Sequence, residues 1–109
     1  MRARIERFIE PALLMLLRDA PAHGYELASG LGAYESDDRI DMGNLYRLLH
    51  RLEEEGILTS EWDEEDRGAN KRRYHLTRDG RSLLDTWAGA LERANEQIAK
   101  FLGAYRRSD

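Results

Sequence analysis

The sequence has no cysteine and only two prolines, Pro11 and Pro21. Without cysteine the chain has no disulfide framework, no thiolate nucleophile and no zinc site of the finger type, so we expect an intracellular, cytoplasmic protein. No apolar run approaches the roughly 18 residues of a membrane span. The short apolar run that starts at Pro11 resembles the core of a signal peptide. However, Glu6 and Glu10 precede it where a signal peptide carries basic residues, so we expect no signal peptide.

The chain also lacks the residue patterns of common enzyme and metal sites. Its three histidines, His23, His50 and His75, are far apart in the sequence and form no HExxH motif, and no glycine-rich phosphate loop is present. The acidic run at residues 63–66 has neither the spacing nor the glycine of an EF-hand. We therefore predict a protein that is not an enzyme and that has no metal site and no cofactor.

Basic charge is not in excess either. The 109 residues include 21 acidic and 17 basic side chains, a formal net charge of -4, which argues against a uniformly basic nucleic-acid binder. Net charge does not show where the charges lie. The order of the predicted helices and strands must therefore decide whether the chain can bind nucleic acid. A chain of this length is expected to form one small fold.

Apolar spacing predicts three short helices in the first half of the chain. The first extends from about Ile5 to Arg18, and the second begins at Tyr25 and fades at Gly30 to Gly32. The third begins after Asp41, a good N-cap, and ends at Gly56. Its inward positions follow the helical period and are Leu45, Leu48, Leu49 and Leu52.

The residue pattern in the second half of the sequence predicts a β-hairpin and one long helix. Residues 57–62 and 71–76 read as two strands on either side of a polar turn. From Thr77, a plausible N-cap, the pattern is helical almost to the end, about 30 residues or roughly 45 Å. Its apolar seam steps by three and four residues through Leu84, Trp87, Leu91, Ala94, Ile98, Phe101 and Tyr105. Because the apolar stripe is wider than a two-stranded seam, we expect this helix to pack on a second chain and on its own domain.

Three short helices followed by a hairpin are the element order of a winged helix-turn-helix. We therefore predict a mainly α (α+β) fold with a two-stranded β-wing and a long C-terminal dimerisation helix. Residues 1–76 form the DNA-binding domain in this interpretation, and residues 77–109 form the dimerisation helix.

The third helix then has the chemistry of a recognition helix. Its predicted outward side chains are Asn44, Tyr46, Arg47, His50 and Arg51. Arginine can bond guanine, asparagine can pair with adenine, and tyrosine or histidine can reach phosphates or thymine methyls. Lys71, Arg72 and Arg73 are predicted to contact phosphates at the base of the wing. The simpler alternatives are a solvated polar helix face and bases that only neutralise the acidic turn.

The segments HGYEL, LYRLLHRLEEEGIL, SEW and RRYHLTRDGRSLL, followed by Trp87, resemble in order and spacing the PadR family of transcriptional regulators. The match covers roughly Leu13 to Leu91, and the single C-terminal helix is similar to that of the family's short subgroup. The resemblance implies a homodimeric repressor that binds a palindromic operator and releases it when a small aromatic or hydrophobic effector binds. It also places Asn44, Tyr46, Arg47, His50 and Arg51 in the recognition helix and residues 71–73 in the wing.

Two questions stay open at this point. Trp87 can line a ligand cavity at the dimer interface, as in drug-binding relatives, or it can fill the dimer core as a large apolar ring. The alternative function is a winged-helix module that binds protein without sequence-specific DNA binding, which the acidic balance favours.

Overall fold

The computed structural model describes residues 8–32, 34, 41–63 and 71–107. Within these ranges the chain forms four helices and three short strands. Their order is α1 (Ile9–Asp19), β1 (Ala22–His23), α2 (Gly24–Leu31), α3 (Met42–Glu54), β2 (Leu58–Trp62), β3 (Arg72–Leu76) and α4 (Arg78–Arg107). The predicted mainly helical α+β architecture is confirmed. The predicted start of the first helix at Ile5 and the polar turn at residues 64–70 lie outside the described residues.

The sheet has three antiparallel strands, in the order β1-β3-β2, where the sequence predicted two. β2 and β3 form the predicted hairpin, with Leu58 opposite Leu76 and Trp62 opposite Arg72. β1 adds to the other edge of β3, where Ala22 pairs with Tyr74. The sequence suggested a turn at β1 because two residues are too few to show the alternation that marks a strand.

Leucines from all three short helices form the core. Leu13, Leu27 and Leu49 are each at most 1% exposed and pack in one cluster with the sheet residues Leu58 and Tyr74. Three of the four leucines predicted to face inward from α3 are buried, and Leu48 is partly buried at the edge of the same cluster. Because one face of α3 is fixed in this core, its opposite face is held in a defined direction.

The ends of α3 follow the sequence prediction. The Asp41 side chain accepts hydrogen bonds from the backbone N–H groups of Gly43, at 2.9 Å, and of Asn44, at 3.3 Å. This is N-cap geometry, which satisfies amide groups that lack a partner within the helix. Gly56 follows the C-terminal end with φ of 78°, the left-handed conformation that glycine adopts without strain.

The start of α4 packs tightly against the segment that connects α3 to β2. The Thr77 hydroxyl accepts the Gly80 N–H at 3.0 Å and lies 2.8 Å from the Ile57 carbonyl oxygen, to which it can donate. A Cβ atom on Gly80 would lie only 2.4 Å from that same carbonyl oxygen. Glycine is therefore required where α4 crosses the chain between α3 and β2. The 30 residues of α4 match the predicted length.

A candidate nucleic-acid interface

The outward face of α3 carries all five polar side chains that the sequence placed there. Asn44, Tyr46, Arg47, His50 and Arg51 are exposed. They project from a helix whose opposite face is made of buried leucines, so their direction is set by the core. The structure thus brings the predicted recognition residues together on one surface.

Two of these side chains form a bonded row that starts at the N-cap. Asn44 donates from Nδ2 to Asp41 Oδ2 at 3.2 Å and in turn accepts a hydrogen bond from the Arg47 guanidinium. The asparagine amide is therefore oriented on both sides. A guanidinium has five N–H donors, so Arg47 keeps donors for an external acceptor.

The other two basic groups of this face lie beside carboxylates. His50 Nε2 is 2.6 Å from Glu54 Oε1, one helical turn further along α3. Arg51 donates to Glu10 Oε1 of α1 at 2.7 Å. The His50–Glu54 pair is exposed at both partners and contributes little to stability, so a phosphate can replace Glu54 at small cost, whereas the Glu10 partner of Arg51 is mostly buried.

Tyr46 leans on the start of α2. A Cβ atom added at Gly24 would lie 2.7 Å from the Tyr46 hydroxyl oxygen and 2.8 Å from the nearest ring carbon. The ring therefore occupies the space that a side chain at residue 24 would need. Tyr46 is 48% exposed, so the residue both packs against the start of α2 and remains accessible at the surface.

The three basic residues at the start of β3, Lys71 just before the strand and Arg72 and Arg73 within it, divide between the two faces of the sheet. The Arg72 guanidinium lies over the Trp62 ring, 4.5 Å from its centroid, and donates to Ser60 Oγ at 3.0 Å. Ser60 Oγ donates to Glu53 of α3 at 2.8 Å, so Arg72 lies on the face toward α3. Lys71 and Arg73 lie on the opposite face, with Lys71 Nζ 4.9 Å from the centre of the Tyr25 ring. The sequence predicted phosphate contacts for all three basic residues, and the structure gives each of them different surroundings.

A polar cluster centred on the buried side chains of His23 and Asp63 lies beside β3 and was not predicted from the sequence. His23 is 7% exposed, with Nδ1 2.6 Å from Glu26 Oε1 and Nε2 2.7 Å from Asp63 Oδ2. Arg73 also donates to Asp63 Oδ2, at 2.8 Å. The hydrogen bond from the His23 backbone N–H lowers the pKa of the Glu26 carboxyl below its usual value. The cluster connects the start of α2 to the base of the wing. The sequence signal that could have revealed it is the glutamate three residues after the N-cap histidine, which is the spacing of a capping box.

Glu10 is a further residue whose part in the site was not predicted from the sequence. Its Oε1 accepts from Arg51, and its Oε2 accepts from the indole Nε1–H of Trp87 at 2.8 Å. Trp87 itself is half-buried and packs against the core of its own chain. One carboxylate of α1 therefore touches both the candidate interface and α4.

The predicted seam of α4 changes character along its length. Leu84 is 9% exposed and belongs to the core, whereas Phe101 is 67% exposed. Ile98 and Tyr105 are about half exposed on the same stripe, and the rings of Phe101 and Tyr105 stack with their centroids 6.5 Å apart. Leu91 and Ala94 are intermediate. Leu84 and Trp87 pack on the core of the same chain, whereas Ile98, Phe101 and Tyr105 are apolar or aromatic side chains at the surface of the single chain.

Among residues 8–32, 34, 41–63 and 71–107, no group of three or more His, Cys, Asp or Glu side chains is arranged to hold a metal ion. No helix in the same ranges combines the length and the apolar character needed to cross a membrane.

Comparisons with known proteins agree on one family. The model of the transcriptional regulator PadR-like family matches residues 13–86. The chain is 36% identical over 80 residues to the transcriptional regulator Rv3488 of Mycobacterium tuberculosis. This aligned segment covers 73% of this chain and 72% of that protein. A PadR-like transcriptional regulator of Bacillus cereus shares the fold, with a TM-score of 0.75, 21% identity, and coverage of 86% of this chain and 90% of that chain. The PadR of Bacillus subtilis, solved in complex with operator DNA, is 27% identical, with a TM-score of 0.65 and coverage of 78% of this chain and 48% of that chain.

Proposed function

We propose that this chain, which belongs to the PadR-like family of transcriptional regulators, is a homodimeric repressor that binds a palindromic operator in double-stranded DNA. Because the family consists of transcriptional regulators, the prediction that the chain is not an enzyme is confirmed. The observation that carries the DNA-binding proposal is the exposed polar face of α3, which is fixed from behind by buried leucines. The relative of this chain from Bacillus subtilis, which is 27% identical, was solved in complex with operator DNA.

In this proposal α3 enters the major groove. Arg47 and Arg51 bond guanine edges, Asn44 pairs with adenine, and Tyr46 and His50 reach phosphates or thymine methyls. The Asn44 amide is already oriented by Asp41 and Arg47, which reduces the side-chain entropy lost on binding.

The wing contributes backbone contacts from Lys71, Arg72 and Arg73. Arg72 is held against Trp62 and Ser60, so its charge has a fixed position beside α3. Arg73 approaches the DNA backbone from the opposite face of the sheet, where one of its guanidinium nitrogens donates to Asp63. These contacts position the domain on the duplex and carry no sequence information of their own.

We assign residues 1–76 to the DNA-binding domain and residues 77–109 to a dimerisation helix of the kind found in the short subgroup of the family. The exposed stripe of Ile98, Phe101 and Tyr105 supports pairing with a second copy, because apolar rings grouped on one helix face are stabilised when a partner covers them. Two copies related by a two-fold axis present two α3 helices, which matches a palindromic operator.

Trp87 is the candidate contact for a small aromatic or hydrophobic effector. It lies where the buried part of the α4 seam gives way to the exposed part, and its ring is half-buried. An effector that prefers the conformation unable to bind DNA would release the operator. The other interpretation is that Trp87 fills the dimer core as a large apolar ring.

The second candidate function is a winged-helix module that binds protein and has no sequence-specific DNA binding. The pairing of basic side chains with acidic ones favours this function, since Arg51, His50 and Arg73 each contact a carboxylate. Together with the net charge of -4, this weakens the attraction to a polyanion.

Titration of labelled DNA by fluorescence anisotropy separates the two functions. The full-length protein is titrated against a fragment of its own promoter region and against a scrambled fragment, at several salt concentrations. The repressor proposal predicts tight binding to the promoter fragment that weakens with salt, with a log-log slope near -0.9 for each phosphate neutralised. Equal, weak binding to both fragments would support the protein-binding module.

A further inference from the structure

The carboxylate of Glu10 is shared between the candidate recognition helix and α4. Oε1 accepts from the Arg51 guanidinium at 2.7 Å, and Oε2 accepts from the Trp87 indole N–H at 2.8 Å. These partners are 41 and 77 residues away in the sequence, on two different helices. The Glu10 side chain is 22% exposed and that of Arg51 is 57% exposed, so the carboxylate is mostly buried while the guanidinium reaches the surface.

The two bonds have different consequences for the carboxylate. An indole N–H is a donor and cannot accept, so its bond to an ionised carboxylate orients that group without competing for its charge. The guanidinium then meets an oxygen whose position is already set. An exposed Glu–Arg pair without such an anchor loses much of its benefit to side-chain entropy and solvent.

We propose that Glu10 is a positioning residue that directs the Arg51 guanidinium toward DNA and makes its direction depend on Trp87. The bond to Glu10 uses one guanidinium nitrogen and leaves the other donors of the planar fork available for a base edge. When the Trp87 N–H moves away from Glu10, Oε2 loses its partner, the carboxylate can rotate, and Arg51 loses its fixed anchor. This inference rests on the proposed function insofar as Arg51 contacts DNA, whereas the coupling itself exists without DNA.

The coupling is measured first in the absence of DNA. In ¹⁵N-labelled full-length protein the two tryptophans give two indole N–H resonances, and Trp62→Phe assigns them. We expect Arg51→Ala to shift the Trp87 indole resonance, because the charge on the shared carboxylate is no longer balanced. Arg47→Ala is the matched control, since Arg47 lies on the same helix face but bonds Asn44. An unmoved Trp87 resonance in a folded Arg51→Ala protein, or an equal shift in Arg47→Ala, would overturn the coupling.

The positioning role is measured by the ratio of operator affinity to scrambled-DNA affinity. Glu10→Gln and Asp19→Asn each remove one negative charge from α1, but Asp19 is exposed and lies beside Arg18. If Glu10 acts only through its charge, both variants bind all DNA more tightly and keep the ratio. The positioning role predicts that Glu10→Gln alone lowers the ratio, by roughly fivefold or more if Arg51 discriminates a base as arginine commonly does.

Trp87→Phe removes the N–H and keeps an aromatic ring, so it tests the dependence on α4. We expect it to lower the same ratio, and to lower it no further in a Glu10→Gln background. Multiplicative effects of the two substitutions would contradict the relay. If no DNA binding is found while Arg51→Ala still shifts the Trp87 resonance, the proposed function fails and the coupling stands.

Discussion

His23 Nε2 lies 2.7 Å from Asp63 Oδ2, and this contact joins the start of α2 to the end of β2. The other ring nitrogen faces Glu26 at 2.6 Å. Each ring nitrogen therefore has a carboxylate partner. The wing base is attached to α2 through a contact whose two side chains, His23 and Asp63, are at most 9% exposed.

Replacing His23 by Ala should destabilise the fold. The Asp63 side chain is 5% exposed and would keep the Arg73 bond but lose its bond to the histidine ring. Leaving a buried polar group without such a partner costs about 1–3 kcal/mol, which urea denaturation followed by circular dichroism can measure. The control is His75→Ala, whose exposed pair with Glu61 should change stability by at most about 0.5 kcal/mol. Equal losses in both variants would contradict the assignment.

The Glu26 carboxyl should add acid sensitivity to the fold. Its pKa is lowered in the folded state, mainly by the His23 backbone N–H, so the stability it contributes is fully present above the ordinary pKa of an unfolded glutamate. That contribution is lost as the pH falls through the lower, folded pKa. The free energy of unfolding measured from pH 6 to pH 3 should fall less steeply for Glu26→Gln than for the natural chain. Parallel pH profiles would show that the carboxyl is not linked to folding.

Two glycines of α4 should respond in opposite ways to alanine. A Cβ at Gly80 would lie 2.4 Å from the Ile57 backbone oxygen, so Gly80→Ala should cost about 1–3 kcal/mol. At Gly89 the nearest atom to a new Cβ is the end of Arg93, at 3.6 Å, and alanine should stabilise the helix by up to about 1 kcal/mol. Thermal unfolding of the two variants provides the comparison. A stable Gly80→Ala protein would mean that α4 does not approach residue 57 so closely.

The exposed seam of α4 should control the oligomeric state. Phe101 is 67% exposed, so Phe101→Glu should leave the folded chain intact but shift a dimer toward monomer, as sedimentation equilibrium would detect. Lys100→Glu changes the charge at the neighbouring exposed position, away from the apolar stripe, and should remain dimeric. A natural chain that is monomeric at micromolar concentration, or a dimeric Phe101→Glu variant, would contradict the proposed interface.

Local sequence signals predicted most of the fold. The leucine spacing of α3, its N-cap at Asp41 and its end at Gly56 are local, so they could be identified without tertiary information. The length of α4 followed in the same way from its periodic pattern. β1 was missed because its two residues become a strand only through pairing with β3.

The positions of the candidate site residues on α3 could be predicted from the sequence, but the side chains that they contact could not. The outward residues of α3 follow from helical geometry once the leucines are assigned to the core. The partner of Arg51 is 41 residues away, and that of His23 Nε2 is 40 residues away. Such contacts depend on how helices and strands pack, which no local pattern encodes. For this reason Glu10, His23 and Asp63 emerged only with the structure.

The most direct test of DNA reading by α3 is the affinity of Arg47→Ala for operator and scrambled DNA, measured by anisotropy at one fixed salt concentration. Arg47 is exposed, its partner Asn44 lies on the same helix, and its removal leaves the core untouched. We predict a loss of about 1–3 kcal/mol in operator affinity with a much smaller loss for scrambled DNA, because a base contact is removed. Unchanged operator affinity in both Arg47→Ala and Arg51→Ala proteins would contradict the assignment of α3 as the recognition helix.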